Sequence, residues 1–149
     1  MKKLLSFIIV CIACSIVQAQ DTKNPDAIVG VWLTGSKEGK VEIYKKGNTY
    51  QGKVVWLKEP IDPKTGNPKT DKFHPDEKLH TRPILGLTNL WGFIFKDENS
   101  WEEGHIYDPK NGKEYKCIIS FKDKNTLNVR GYIGISLIGR TETWLRSSL

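Results

Sequence analysis

The sequence predicts an all-β protein: an eight-stranded antiparallel up-and-down barrel with one long loop and at most a short helical turn. From residue 28 onward, short β-branched and aromatic runs are separated by Gly, Asn, Asp and Pro, and no apolar period of 3.6 residues is sustained. Because the links among the last five runs are short, consecutive strands are expected to be antiparallel neighbours. Closure into a barrel removes the two exposed edges that an open sheet would leave.

The predicted strands lie at residues 28–34, 41–45, 49–57, 90–96, 100–107, 114–121, 126–133 and 140–146. Gly47 and Asn48 suit a tight turn between the second and third strands. Residues 59–79 form a polar stretch with four prolines, which excludes a central strand and predicts a long loop. Residues 82–89 have room for one helical turn, which Pro83 and Gly86 keep short.

Alternation along two strands predicts which side chains enter the barrel. The inward sets are Leu127, Val129, Gly131 and Ile133 on one strand, and Tyr115, Cys117, Ile119 and Phe121 on another. Alternation does not predict which side chains of the last strand enter the barrel, because neither face of that strand is plainly apolar. Thr141, Thr143 and Leu145 alternate there with Arg140, Glu142, Trp144 and Arg146. The sequence therefore leaves the register of the last strand open.

Residues 1–19 have the pattern of a secretory signal peptide. Lys2 and Lys3 precede an uncharged stretch, and Val17-Gln18-Ala19 places small residues where signal peptidase requires them. We expect cleavage near Ala19-Gln20 and a periplasmic or secreted protein, in which residues 20–27 lead into one barrel domain over 28–149. The uncharged stretch is shorter than the roughly 20 residues of a transmembrane helix, and no later segment approaches that length. A lipoprotein, acylated at Cys11 or Cys14, is the less favoured alternative.

Composition narrows the function classes that this chain can serve. Removing residues 1–19 lowers the net charge from +6 to +4 and leaves Cys117 as the one cysteine, which excludes an intrachain disulfide framework. The positive charge is spread along the chain, so it gives no indication of nucleic-acid binding. A chain of about 130 residues forms one domain, which excludes a two-domain enzyme.

Two resemblances to known families add to these patterns. Gly30-x-Trp32 on the first strand, with Arg146 at the end of the last, resembles the signature of lipocalin-type (calycin) barrels. This resemblance implies a barrel-end plug, in which Trp32 closes one end and Arg146, or less favourably Arg140, packs across its ring. A fuller resemblance, over nearly the whole mature chain, is to the bacterial secreted family called domain of unknown function 2147.

That fuller resemblance is carried by motifs spread along the whole domain. They are Gly30-x-Trp32, Gly52-Lys53-Val54-Val55, Asp62-Pro63-x-x-Gly66 followed by Asp71, Arg82-Pro83-Ile84-Leu85-Gly86-Leu87, Gly104-x-Ile106-Tyr107-Asp108-Pro109-x-x-Gly112-Lys113-x-Tyr115, Arg130-Gly131-Tyr132-x-Gly134 and Gly139-Arg140-Thr141-x-Thr143-Trp144-x-Arg146. The resemblance implies a lipocalin-like barrel in the cell envelope, and it assigns no activity. The Asp-Pro-x-x-Gly pentapeptide occurs twice, and turn chemistry accounts for both copies.

The last two strands carry the candidate ligand-binding residues Arg130, Tyr132, Arg140, Glu142 and Trp144. Two arrangements are open. Facing outward, these side chains form a polar ladder between neighbouring strands or a structural plug. Facing inward, the guanidinium groups beside aromatic rings form a pocket for an amphiphile that carries a carboxylate or phosphate. We therefore expect a small amphiphilic molecule or cell-envelope component as partner, and a filled barrel acting through its surface is the alternative.

No catalytic or metal-binding constellation is readable, so we predict no enzyme activity, no metal and no cofactor. The spacing of His74 and His80 matches no helical metal-ligand pair and no zinc-finger pattern. Cys117 lies in an apolar strand face, where a buried thiol is expected. His105 has no nucleophile at a readable spacing. The sequence leaves the ligand's identity and the oligomeric state open.

Overall fold

The structure, a computed structural model, describes residues 24–96 and 99–149. The predicted signal peptide lies outside the described residues. The eight strands are β1 (Gly30–Leu33), β2 (Gly39–Lys46), β3 (Thr49–Leu57), β4 (Thr88–Phe95), β5 (Ser100–Asp108), β6 (Lys113–Asp123), β7 (Thr126–Tyr132) and β8 (Gly139–Ser147). Two short 3-10 helices, Pro25–Ile28 and Glu77–Leu79, complete the described elements. The predicted all-β class and strand order are confirmed.

The strands form one closed barrel in which every strand pairs antiparallel with its neighbours in the chain. Closure is made by β1, which pairs with β2 on one side and with β8 on the other. Trp32, for example, lies opposite Val41 on β2 and opposite Arg146 on β8. None of the eight described strands therefore has an unpaired edge, which is the advantage that predicted closure.

One end of the barrel is filled by aromatic side chains. Trp101 packs edge-on against Phe121, with ring centroids 5.5 Å apart, and Trp32 lies 6.1 Å from the same ring. The helix Pro25–Ile28 covers this end and satisfies the buried indoles, because Trp32 Nε1 donates to Ile28 O at 2.9 Å and Trp101 Nε1 donates to Pro25 O at 3.1 Å. We call this the closed end.

Two local expectations were wrong. Ile133 was predicted inside the barrel, but β7 ends one residue earlier and the Ile133 side chain is 68% exposed, since pairing with β8 stops at Tyr132 and Gly139. The possible helical turn over 82–89 does not form. The segment instead bridges to Thr70 at Pro83 and makes a tight turn, in which Leu87 N donates to Ile84 O at 3.1 Å. It then joins β3, where Val54 N donates to Leu87 O at 2.9 Å. The short helix between β3 and β4 is instead the 3-10 helix Glu77–Leu79, which lies within the predicted loop.

The long loop is longer than predicted and covers part of the other end of the barrel, which we call the open end. It runs from residue 58 to residue 87 and follows the end of β3. Its backbone folds on itself, with Asp71 N donating to Arg82 O at 2.9 Å and Lys69 N donating to Pro60 O at 2.8 Å. Among the described residues, no helix is long and apolar enough to cross a membrane.

Candidate functional site

A cavity of about 340 Å³ lies at the open end of the barrel. Its apolar wall includes Ile106 on β5, Val129 on β7 and Trp144 on β8. Tyr107 and Tyr115 add aromatic surface from β5 and β6. The volume lies at the small end of the range in which proteins hold small organic molecules.

Strand β8 supplies the charged side of this cavity. Leu127 pairs with Trp144, Val129 with Glu142, and Gly131 with Arg140. Because paired residues point to the same face of a sheet and Leu127 and Val129 are buried in the barrel, the β8 partners face inward. Arg140, Glu142 and Trp144 all line the cavity, so the register that the sequence left open is resolved.

Arg130 and Tyr132, the other two candidate ligand-binding residues, lie on the outer face of β7. Arg130 pairs with Thr141, and its guanidinium donates to Thr141 Oγ1 at 2.9 Å and to Ser136 O at 2.7 Å. Tyr132 pairs with Gly139. The structure thus brings three of the five predicted residues together at the cavity and uses Arg130 to hold the β7–β8 turn.

The two charged groups on β8 have different surroundings. Glu142 Oε2 lies 3.4 Å from the Trp144 indole nitrogen, which donates to it. Arg140 is exposed at the cavity rim, and within residues 24–96 and 99–149 its guanidinium has neither a salt-bridge nor a hydrogen-bond partner. An unpaired guanidinium at the mouth of a cavity can donate two parallel hydrogen bonds to a carboxylate, phosphate or sulfonate.

Asn89 supplies a buried polar atom that no sequence pattern indicates. It begins the β4 run of apolar residues, is only 8% exposed and lines the cavity. Its Oδ1 is buried, and none of the described residues gives it a hydrogen-bond partner. Because buried polar atoms are almost always satisfied in native proteins, this unpaired acceptor indicates that a donor belongs in the cavity, from a ligand or a water molecule.

The β5–β6 turn at residues 108–112 forms the polar mouth of the cavity. Asn111 Nδ2 donates to Asp108 Oδ2 at 3.0 Å and to Tyr115 Oη at 3.2 Å. Lys110 forms a salt bridge with Glu38 on the β1–β2 loop, and this interaction holds the pKa of Glu38 below its usual value. These contacts stabilise the β5–β6 turn at the cavity mouth, and the salt bridge joins that turn to the β1–β2 loop.

A buried carboxylate fastens the long loop to the cavity wall. Asp71 has no exposed surface and accepts hydrogen bonds from Tyr107 Oη at 2.6 Å and Arg82 Nη2 at 2.5 Å. Burial, followed by the bond to Asp71, raises the pKa of Tyr107 well above its ordinary value. Because Tyr107 lines the cavity, this carboxylate couples the position of the loop to the shape of the site.

The two loop histidines take structural positions. His74 packs against Tyr107, with ring centroids 5.5 Å apart, and its Nδ1 accepts from Asp76 N at 2.9 Å. His80 Nε2 lies 2.8 Å from His74 O. In the described ranges, no group of three or more His, Cys, Asp or Glu residues is placed to hold a metal ion.

The remaining nucleophile and base candidates lie apart from the cavity. Cys117 has no exposed surface, and burial raises the pKa of its thiol to about 12. His105 stacks on Trp91 with ring centroids 5.7 Å apart, and its Nε2 is 3.8 Å from Glu114. A protonated, enclosed thiol is characteristic of a structural cysteine.

At the closed end, the structure places Arg146 over Trp32. Arg146 Cζ is 4.1 Å from the indole centroid, and Nη2 donates to Ala27 O at 2.9 Å. Burial lowers the pKa of Arg146 from its ordinary value. Arg140, the less favoured partner for Trp32, lies on the opposite end of β8, beside the cavity.

A closed eight-stranded antiparallel barrel with a tryptophan at its closed end and a cavity at the other end defines a lipocalin-like protein. The chain belongs to the bacterial family described as "Uncharacterized protein conserved in bacteria (DUF2147)", whose family model matches residues 30–146. Among curated proteins none matches.

A solved structure with a similar fold is protein HP1028 of the human pathogen Helicobacter pylori, which is described as belonging to the lipocalin family. The two chains are 23% identical and superpose with a TM-score of 0.68, over 80% of this chain and 82% of the other. At this identity the likeness establishes the fold.

Proposed function

We propose that this protein binds one small amphiphilic molecule in the open-end cavity. The observation that carries the proposal is the buried, unpartnered Asn89 Oδ1 inside a cavity of about 340 Å³. Val129 and Trp144 give the cavity an apolar lining, and the Arg140 guanidinium lies at its rim. A fitting molecule therefore has an apolar body, an anionic group for Arg140 and an N–H or O–H donor for Asn89.

We further propose that the protein acts outside the cytoplasm, in the periplasm or as a secreted protein. Support comes from the N-terminal pattern of Lys2, Lys3, an uncharged stretch and Val17-Gln18-Ala19. Intact-mass measurement on protein isolated from its own host tests this. We expect the mass of a chain that begins near Gln20. The mass of the unprocessed chain would contradict this location.

A probe with the required chemistry tests cavity binding. 1-Anilinonaphthalene-8-sulfonate carries two apolar ring systems, one sulfonate and one N–H donor. We expect saturable binding of one probe per chain, with Arg140→Gln and Asn89→Leu each weakening it about tenfold, equivalent to roughly 1.4 kcal/mol. Asn128→Leu is the matched control, because Asn128 lies on the outer face of β7 opposite Thr143.

Equal probe affinity in the wild type, Arg140→Gln and Asn89→Leu would contradict cavity binding. Native mass spectrometry of protein from its own envelope then identifies the natural molecule, as a reproducible mass that co-purifies with the wild type and is lost in the two variants.

The alternative function is a structural or interaction protein of the envelope. It is favoured by the closed end, where the side chains of Trp32, Trp101 and Phe121 fill the barrel interior. Under this alternative the cavity holds only water. The probe titration separates the two functions, because a water-filled pocket would show no variant-dependent affinity for the sulfonate.

A further inference from the structure

The turn between β7 and β8 displays an unusual apolar surface. Its six residues, 133–138, carry no charge, and four of them are large aliphatics that face solvent. The exposed fractions are 68% for Ile133, 59% for Ile135, 85% for Leu137 and 70% for Ile138. We call these four side chains the aliphatic tip. Contiguous exposed apolar groups of this kind mark a surface that meets an apolar partner.

The aliphatic tip is held outward by hydrogen bonds to its backbone. Arg130 Nε donates to Ser136 O at 2.7 Å, and its Nη2 donates to Leu137 O at 3.3 Å. Ile138 N donates to Ile135 O at 3.1 Å and closes a turn. Because these bonds satisfy three carbonyl groups of the turn, its backbone has a defined shape that keeps the aliphatic side chains away from the barrel.

Positive charge flanks the aliphatic tip. Arg140 follows it after one residue, Lys116 lies opposite Tyr132 at its base, and Lys113 begins β6 at the same end of the barrel. All three are exposed, and none has a side-chain ion pair within the described parts of the chain. Two acids lie near these cations: Asp108 pairs with Lys113 across β5 and β6, and Glu114 lies 3.8 Å from His105. An apolar protrusion with cations at its base is complementary to an anionic lipid surface.

We propose that the aliphatic tip docks the open end of the barrel onto an anionic lipid bilayer. The four aliphatic side chains would enter the acyl boundary, while Arg140, Lys113 and Lys116 would remain at the level of the headgroups. Arg140 also lines the cavity, so docking would turn the cavity mouth toward the membrane. The inference goes beyond the proposed function, because docking does not depend on what the cavity binds.

A lipid surface fits the tip better than a second copy of the chain does. A stable protein interface buries roughly 800 Å² on each partner, in a broad and complementary patch. A six-residue turn that protrudes from one end of a barrel supplies only part of that area. A bilayer requires no complementary surface, since it deforms around the side chains that enter it.

Flotation with lipid vesicles tests the docking. We expect the wild type to float with vesicles of phosphatidylcholine containing one quarter phosphatidylglycerol, to bind pure phosphatidylcholine weakly, and to dissociate as salt is raised. Ile135→Ser/Leu137→Ser should lower the affinity for the anionic vesicles at least tenfold. Leu149→Ser is the matched control, because Leu149 is 81% exposed but lies outside the tip, and it should bind like the wild type.

All variants are prepared as chains that begin at Gln20, since the stretch from Leu4 to Val17 would itself bind lipid in an uncleaved chain and hide a loss of affinity at the tip. Far-ultraviolet circular dichroism tests whether Ile135→Ser/Leu137→Ser keeps its fold, and the 1-anilinonaphthalene-8-sulfonate titration tests whether it keeps its cavity. Failure of the docking proposal can therefore be distinguished from failure of the cavity proposal. Equal flotation of the wild type and the double variant would overturn the docking. The docking would also be overturned if neither protein floated with the vesicles and sedimentation velocity showed a dimer of the wild type that the double variant does not form.

Discussion

The guanidinium of Arg146 covers the indole ring of Trp32, with Cζ 4.1 Å from the ring centroid, and joins the last strand to the first. The same side chain donates to Ala27 O and to Lys124 O, at 2.9 and 3.3 Å. The β1–β8 pairing that closes the barrel contains only three residue pairs, from Val31 with Ser147 to Leu33 with Leu145. Arg146 therefore reinforces a short seam of the barrel.

Replacing this guanidinium should weaken the seam. We expect Arg146→Gln to lower the free energy of unfolding by about 1–3 kcal/mol, because it removes a cation–π contact and hydrogen bonds to backbone carbonyls. Urea denaturation followed by tryptophan fluorescence measures it. Arg140→Gln is the control and should change stability by less than about 0.5 kcal/mol. An equal effect of both substitutions would contradict a special role for Arg146.

The two copies of the Asp-Pro-x-x-Gly turn offer a matched pair of substitutions. Gly66 and Gly112 both have φ +70°, but an added Cβ meets nothing at Gly66 and comes within 1.8 Å of Phe73 O at Gly112. We expect Gly66→Ala to cost about 1–2 kcal/mol, from the left-handed backbone alone. Gly112→Ala should cost clearly more, because the long loop must move.

Thermal unfolding of the two alanine variants measures this difference. Limited proteolysis adds a local readout. If the long loop is displaced in Gly112→Ala, a protease should cleave that variant within residues 58–87 faster than it cleaves Gly66→Ala there. Similar melting temperatures and cleavage patterns would show that the long loop does not rest on the β5–β6 turn.

The buried Asp71 carboxylate should matter more to stability than an exposed acid does. We expect Tyr107→Phe and Asp71→Leu each to cost about 1–3 kcal/mol, because each leaves a buried partner unsatisfied. The double variant should cost less than the sum, since both substitutions remove the same hydrogen bond. Chemical denaturation of the three variants measures the coupling, and strictly additive losses would contradict it.

Alkaline pH should weaken the contact between Tyr50 and the N-terminal 3-10 helix. Tyr50 Oη donates to Asp26 Oδ1 at 2.5 Å, and burial together with this bond raises the pKa of Tyr50 to about 12. Since the pKa in the unfolded chain is about 10, the stabilising contribution is complete below pH ~10 and is lost as the pH rises through ~12. The free energy of unfolding should therefore fall more steeply above pH ~10 in the wild type than in Tyr50→Phe. Parallel pH profiles from urea denaturation would refute this.

Cys117 should react slowly with thiol reagents while the barrel is folded. Its side chain is enclosed and burial raises its pKa to about 12, so both access and thiolate fraction are low near neutral pH. We expect the rate of modification by 5,5′-dithiobis(2-nitrobenzoic acid) at pH ~8 to rise at least about a hundredfold in denaturant. Comparable rates in native and denatured protein would place the thiol at the surface.

The candidate site could be predicted only in part. Arg140, Glu142 and Trp144 were selected from the sequence as one face of the last strand, but Arg130 and Tyr132 were grouped with them although they face outward. Asn89 carried no recognisable signal, because a polar residue before an apolar run is ordinary at a strand start. Its importance comes from the surrounding barrel, which buries its oxygen without a partner.

The sequence by itself determined the all-β class, the chain order of the strands and the turns, because these depend on residue types that are close together in the chain. The tertiary structure decided the register of β8, which pairs with β7 on one side and with β1 on the other. It also decided that Ile133 lies in an exposed turn. Strand register has a period of two residues, and when neither face of a strand is plainly apolar, only its partners determine which face enters the barrel.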